Sequence, residues 1–336
     1  MWNGASKQSD VSPPKVNIYD IANLLNGIDN NIPVLEWLEY DIYAYGYIRA
    51  FGRGCAARCN ARPVLEWMIK RGVTLEPEHL NYAVRYGHLA LVRWMHEEQH
   101  VMFIYETART AARSGNLELL QYVIEKGAEL PDDTLDFAAE SGSEITVQWL
   151  HDKRGLPWTH KVCARAAAGG HLSLVQFLRS QHCEWESTTT YWAATEGRLS
   201  VLQWAVEHGC PIKIDFVVLW TVAGRGYLEV LEFLFQHDPE VCSGIDLCIL
   251  IGSAALGGHF SVLEFLYPFR SKCDFVTITY PIIQCKKPST LKVIRWLLEQ
   301  AHWILPSRQQ LEEIRTEIRL DVVKYLEENG YLNEKM

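Results

Sequence analysis

Apolar residues recur along the chain in short stripes of one spacing. In the stretch Ala166 to Leu178, small residues lead to a glycine pair, and beyond Gly170 apolar side chains fall at Leu172, Leu174, Val175, Phe177 and Leu178. Counted from Phe177 these are positions minus five, minus three, minus two, zero and plus one, which is one face of a 3.6-residue helix. The same frame, with a small-residue pair before the glycine and a large anchor seven positions after it, returns at Gly87…Trp94, Gly115…Tyr122, Gly142…Trp149, Gly197…Trp204, Gly226…Phe233 and Gly258…Phe265. A fixed frame copied this often predicts a repeated unit: a short Ala-rich helix (Thr159 to Ala168 and Thr188 to Glu196 are examples), a glycine turn, a second helix carrying the stripe, and a loop.

The anchor extends beyond these copies. It runs through Trp37, Trp67, Trp94, Tyr122, Trp149, Phe177, Trp204, Phe233, Phe265, Trp296 and Tyr325, in steps of 27 to 32 residues. Asn60 stands in the glycine position of the second unit and Asn30 in that of the first; asparagine is the residue next most tolerant of the left-handed backbone a helix-ending turn needs. The last two units, around Ser289 and Ile318, lack the glycine, as end units with one face in water can. Gly72, Gly127, Gly155, Gly209 and Gly330 follow their anchors by five or six positions and predict the stop of each second helix. Pro131, Pro157 and Pro211 then fall in loops. Ile212 to Val218 has weak strand character and is read as the lead-in to a helix.

One helix pair cannot bury its own stripe, so the units must stack. The predicted fold is all-α: a curved solenoid of about eleven stacked helix-turn-helix repeats over residues 17–336, regular across about 76–270 and degenerate at both ends. Residues 1–16 are polar and predict a flexible tail without a secretory signal.

Composition narrows the function classes. The net charge is −9 and is spread without long blocks, which argues against nucleic acid or an anionic membrane as partner, since both need a basic stripe. Of the nine cysteines, Cys183 and Cys210 occupy equivalent places and should stack along the array while staying reduced, which predicts an intracellular, most simply cytoplasmic, protein. Cys55 and Cys59 have helical spacing but no companion ligand pair. His96-Glu97-Glu98-Gln99-His100 satisfies the His-Glu-x-x-His order, yet it ends a repeat helix at a solvent-facing edge and has no third ligand, so no metal is expected there. His88, His171 and His259 follow turn glycines and are read as capping or bracing them. Trp158 and Trp185 fall in equivalent loops and either form an exposed ladder or pack on the neighbouring loop. Gly224-Arg225-Gly226 and Gly257-Gly258 are turns and lack the strand and lysine of a phosphate loop. No catalytic constellation stands outside the repeat, so neither enzyme chemistry nor a cofactor is expected.

The Ala-Ala-x-x-Gly-His-Leu pieces, clearest at Gly87-His88-Leu89, Gly170-His171-Leu172 and Gly258-His259-Phe260, resemble ankyrin repeats over about 300 residues. The core units are 27 or 28 residues long, short of the usual ~33, and lack the Thr-Pro-Leu-His-like turn. In this they are similar to the shortened arrays of giant DNA viruses, amoebae, algae and oomycetes. The missing residues belong to the projecting fingers, which should contribute little to binding. The resemblance implies a non-catalytic, monomeric scaffold that binds a protein partner on the concave side lined by the first helices. It implies, further, that the variable positions before each glycine carry the contacts: Arg58, Arg85, Tyr86, Arg113, Ser114, Glu140, Glu196 and Arg225. An alternative is a ubiquitin-ligase adaptor, because Ile304-Leu305-Pro306 through Leu311-Glu312-Glu313-Ile314 is faintly similar to an F-box.

Overall fold

A computed structural model describes residues 53–240, 247–269, 282–283, 285, 290–300 and 307–332. The expected tail (1–16), the first repeat around Asn30 and Trp37, Ser289 and Ile304 to Pro306 lie outside these. Among the described residues all regular structure is helical. The chain divides into two compact units, one ending at Leu156 and the other beginning at Pro157.

The first unit holds four helix pairs: α1 (Arg53–Arg58) with α2 (Arg62–Lys70), α3 (Pro77–Arg85) with α4 (Leu89–Glu97), α5 (Thr107–Arg113) with α6 (Leu117–Glu125), and α7 (Thr134–Ser141) with α8 (Glu144–Arg154). The second unit continues the pattern with α9 (His160–Gly169) and α10 (Leu172–Ser180), α11 (Ser187–Thr195) and α12 (Leu199–Glu207), α13 (Phe216–Arg225) and α14 (Leu228–His237), and α15 (Leu247–Gly257) and α16 (Phe260–Leu266). Beyond these come α17 (Thr290–Gln300), α18 (Arg308–Glu313) and α19 (Leu320–Glu328). Residues 212 to 215 are irregular and lead into α13, whose N-cap Asp215 accepts a hydrogen bond from the Val218 amide at 3.1 Å.

Within each unit the first helices stack on one another: α1 on α3, α3 on α5 and α5 on α7, then α9 on α11, α11 on α13 and α13 on α15. The small-residue pair permits this close approach. Ala56 and Ala57, Ala111 and Ala112, Ala138 and Ala139, Ala166 and Ala167 are all fully buried.

The second helices bury a narrower stripe than the sequence predicts. Positions minus three, minus two and plus one are buried in every described repeat, from Val64, Leu65 and Met68 to Val322, Val323 and Leu326. In the fifth repeat the triplet is Thr146, Val147 and Leu150. At roughly 1.5–3 kcal/mol per large apolar side chain, this triplet is the main stabilising term of each repeat. The anchors divide. Trp67, Trp94, Tyr122 and Tyr325 are buried, whereas Trp149, Phe177, Trp204, Phe233, Phe265 and Trp296 are half-buried. Their outer faces are covered by polar or aromatic neighbours, such as Arg154 over Trp149 at 5.0 Å and His208 stacked on Trp204 at 4.2 Å. Trp158 packs edge-on against Phe177 and Trp185 against Trp204. Each loop tryptophan therefore covers the anchor of its own repeat.

The turns behave as the spacing requires, with two additions. Asn60 has φ 57°, and the seven turn glycines have φ between 71° and 84°. After the second helix, His100 (φ 55°) and His182 (φ 61°) adopt the left-handed conformation that Gly72, Gly127, Gly155 and Gly209 supply elsewhere.

Candidate interaction surface

The first-helix face of the unit ending at Leu156 carries six of the eight residues singled out above. Arg58 ends α1 and is exposed; Arg85 ends α3 with Tyr86 just beyond it, and both are exposed. The three cluster because the position two residues before each turn recurs on adjacent helices. The Arg58 guanidinium lies over the Tyr86 ring, 5.4 Å from its centroid, and neither Arg58 nor Arg85 has a carboxylate partner among the described residues.

Arg113 differs. It donates to Glu140 at 3.1 Å and lies 4.5 Å from the centroid of Phe137. The two predicted residues thus neutralise each other across adjacent repeats. Ser114 spends its hydroxyl on the turn, donating to the Ala111 carbonyl at 2.7 Å and accepting from the Asn116 amide at 3.3 Å. In the second unit, Glu196 and Arg225, each one residue before its turn and with the charges in the opposite order, pair at 2.8 Å, and Arg225 donates to the Thr195 carbonyl at 2.7 Å.

A groove of about 230 Å³ lies beside Arg85. Glu78, Asn81, Tyr82 and Arg85 of α3 form one wall, and Ile104, Thr110 and Arg113 the other. Tyr82 is 44% exposed and Tyr86 47%. Asn81 donates from Nδ2 to Thr110 Oγ1 at 3.3 Å, but its Oδ1 is buried and accepts nothing. A buried acceptor without a donor is costly and rare. Arg109, one turn before Arg113, is held by Asp133 and Glu106 at 2.7 Å each and stacks on Tyr105 at 4.5 Å. Its guanidinium pKa is raised by the Asp133 hydrogen bond, so it is a fixed post, not a free contact.

The face of the second unit has a different character: Val217 and Trp220 of α13 and Ile249 and Leu256 of α15 are exposed.

Several histidines and cysteines bind the backbone of the repeats. His88 Nε2 donates to the Arg58 carbonyl at 2.7 Å, bracing the turn of the preceding repeat without capping its own helix. Arg198 makes the equivalent bond to the Ala168 carbonyl at 3.0 Å. His96 Nδ1 donates to the Val101 carbonyl at 2.9 Å and its ring stacks on Phe103 at 4.2 Å. His100 lies outside α4 with positive φ. The His-Glu-x-x-His order therefore does not lie on one continuous helix, and among the described residues no group of three His, Cys, Asp or Glu side chains could hold a metal ion. Cys183 and Cys210 are buried at equivalent places and donate to the carbonyls of Thr159 and Glu186, each at 3.4 Å. Cys163, fully buried in α9, also lies against Cys183, with its sulfur 3.2 Å away. Its donated hydrogen bond lowers the Cys183 pKa and, with burial, raises its own.

No family model matches the chain, and no curated protein matches it. The chain is a helical repeat protein. Among solved structures similar to it is the human ASB11 ankyrin repeat domain, at 18% identity and a TM-score of 0.35, over 50% of this chain and 84% of that one. Another is the pentatricopeptide repeat protein PPR10 in complex with an 18-nt psaJ RNA element, at 14% identity and a TM-score of 0.36. That match takes in 93% of this chain and 53% of PPR10, about half of its length. No helix among the described residues is long and apolar enough to cross a membrane.

Sequence reasoning selected the two residues before each turn and missed those one helical turn earlier. Asn81, Tyr82 and Arg109 face the same groove or its edge. The signal was present: they sit on the same helix face as the variable pair.

Proposed function

We propose that the protein is a non-catalytic scaffold that binds a protein partner on its first-helix face, centred on Arg58, Arg85 and Tyr86. The observation that carries this reading is a pair of exposed arginines without carboxylate partners, flanked by two exposed tyrosines, on successive helices of a rigid stack. Arg and Tyr are frequent energetic centres of interfaces. Arg113 and Glu140 bound the site as an internally paired edge, and Ser114 supports the turn. Glu196 and Arg225 form an internal pair in the second unit. An adaptor role would require α18 to present Leu311, which is buried, while Arg315 binds Glu312 at 2.9 Å and also Glu327.

The test is co-purification from the source cell with the wild type and with an Arg58→Glu, Arg85→Glu, Arg113→Glu variant shown by circular dichroism to be folded. A partner captured by wild type and lost by the variant supports the reading. A partner retained by both places the site elsewhere.

A further inference from the structure

Resting on that reading, we infer that the site takes an extended acidic, proline-containing segment of the partner, with carboxylates three residues apart seated on Arg58 and Arg85. The two arginines occupy the same position on adjacent first helices, each two residues before its turn. Packed helices lie about 8–10 Å apart. A polyproline II chain repeats its face every three residues and rises ~3.1 Å per residue, so its side chains i and i+3 are ~9 Å apart on one side. A β-strand of the same reach would place i and i+3 on opposite sides.

Three further features agree. Tyr82 and Tyr86 are half-exposed beside the arginines, and aromatic side chains line the grooves in which proline-rich segments dock. Tyr82 lies over α1, because a Cβ on Gly54 would meet its ring at 3.3 Å. The adjoining groove, lined by Glu78, Asn81 and Tyr82 of α3 and by Ile104 and Thr110, gives the segment room to continue beside Arg85. The site has ends as well. Arg113 is already engaged by Glu140, so the row of free cations stops after Arg85. Glu78, exposed about seven residues earlier on α3, repels an acid at the far end of the groove. A long polyanion such as RNA would bring charge to that end too.

The probe is a fluorescein-labelled peptide of four Glu-Ala-Pro repeats, in which each Ala precedes a proline and is biased to the extended form. Its controls are the Gln-Ala-Pro counterpart and a peptide of equal composition with the glutamates contiguous. Binding to the full chain is read by fluorescence anisotropy, alongside an 18-nucleotide single-stranded RNA. The expected result is binding of the Glu-Ala-Pro peptide above both controls. It should weaken roughly 2- to 30-fold in Arg58→Gln/Arg85→Gln, as for two exposed charge pairs lost together, and be partly restored in Arg58→Lys/Arg85→Lys. No binding, equal binding of the contiguous peptide, or binding that the double Gln variant leaves unchanged overturns the inference. RNA binding lost in the same variant overturns it in favour of a nucleic acid. Capture of a protein partner through these arginines without peptide binding overturns this inference alone and leaves the scaffold reading standing.

Discussion

Two glycines with nearly the same backbone separate strain within a turn from contact between repeats. Gly209 has φ 83° and nothing within 4 Å of the place a Cβ would take. Gly197 has φ 73°, and its Cβ would fall 2.8 Å from Cδ1 of the Tyr227 ring and 2.9 Å from Cε1 and Cγ. Alanine at either position incurs the left-handed penalty of about 1–2 kcal/mol, partly offset by about 0.4–1 kcal/mol from a stiffer unfolded chain. Gly209→Ala should therefore cost about 1 kcal/mol. Gly197→Ala adds displacement of a ring held between repeats, an overpacking cost of about 1–3 kcal/mol, for a total of about 2–4 kcal/mol. Removing the ring tests the cause: in a Tyr227→Ala background the excess of Gly197→Ala over Gly209→Ala should shrink to about 0.5 kcal/mol, the usual limit of additivity. Equilibrium urea unfolding followed by circular dichroism and tryptophan fluorescence measures all of these. Equal costs for the two glycines, or an excess that survives Tyr227→Ala, would refute the account of repeat contact.

Three other outcomes follow from the same structure. His79 is buried and its Nδ1 accepts from the Glu76 amide at 3.0 Å; burial, then Arg53, lowers its pKa below 6.5. The unfolded chain thus takes up the proton more readily, so stability should fall as pH drops below about 6.5, and His79→Gln should flatten that dependence in urea midpoints measured from pH 7.5 to 5. Cys163, Cys183 and Cys210 are buried, so iodoacetamide on the native protein should modify Cys55, Cys59 and Cys285 before these three, which should react only above the unfolding midpoint, as read by peptide mass spectrometry. Arg109→Ala, which leaves Asp133 and Glu106 without their cation and uncovers Tyr105, should cost about 1–2 kcal/mol, whereas Arg85→Ala, which has no such partners, should cost under about 0.5 kcal/mol.

The repeat was legible because its signal is periodic: the spacing of Leu174, Val175 and Leu178 is the spacing of the side chains that are buried. The sequence also named the anchors, but not how deeply each sits. Burial of an aromatic depends on what lies over its second face, and that neighbour changes from repeat to repeat: the loop residue Trp158 for Phe177, the last residue of its own helix, Arg154, for Trp149. His100 and His182 escaped notice because histidine is not a usual helix stop, although their distance from the anchor is that of the glycines. At the candidate site, register alone placed Arg58, Arg85 and Arg113 in one row. It did not show that Arg113 is claimed by Glu140, although the 27-residue separation is close to one repeat. Cys163 was overlooked as a neighbour of Cys183 because it lies in the preceding first helix, outside the loop frame in which Cys183 and Cys210 were compared.

At three turns the carbonyl two residues before the turn receives its donor from the next repeat: Arg58 from His88, Ala168 from Arg198 and Thr195 from Arg225, each 30 residues on. Because the stitch spans about one period, its bookkeeping survives changes of whole units. A duplicated repeat arrives with its own donor and presents its own acceptor, and an excised repeat removes one of each. A deletion of half a unit strands a carbonyl. A chain sewn in this way can change length in whole units without redesign of the interior.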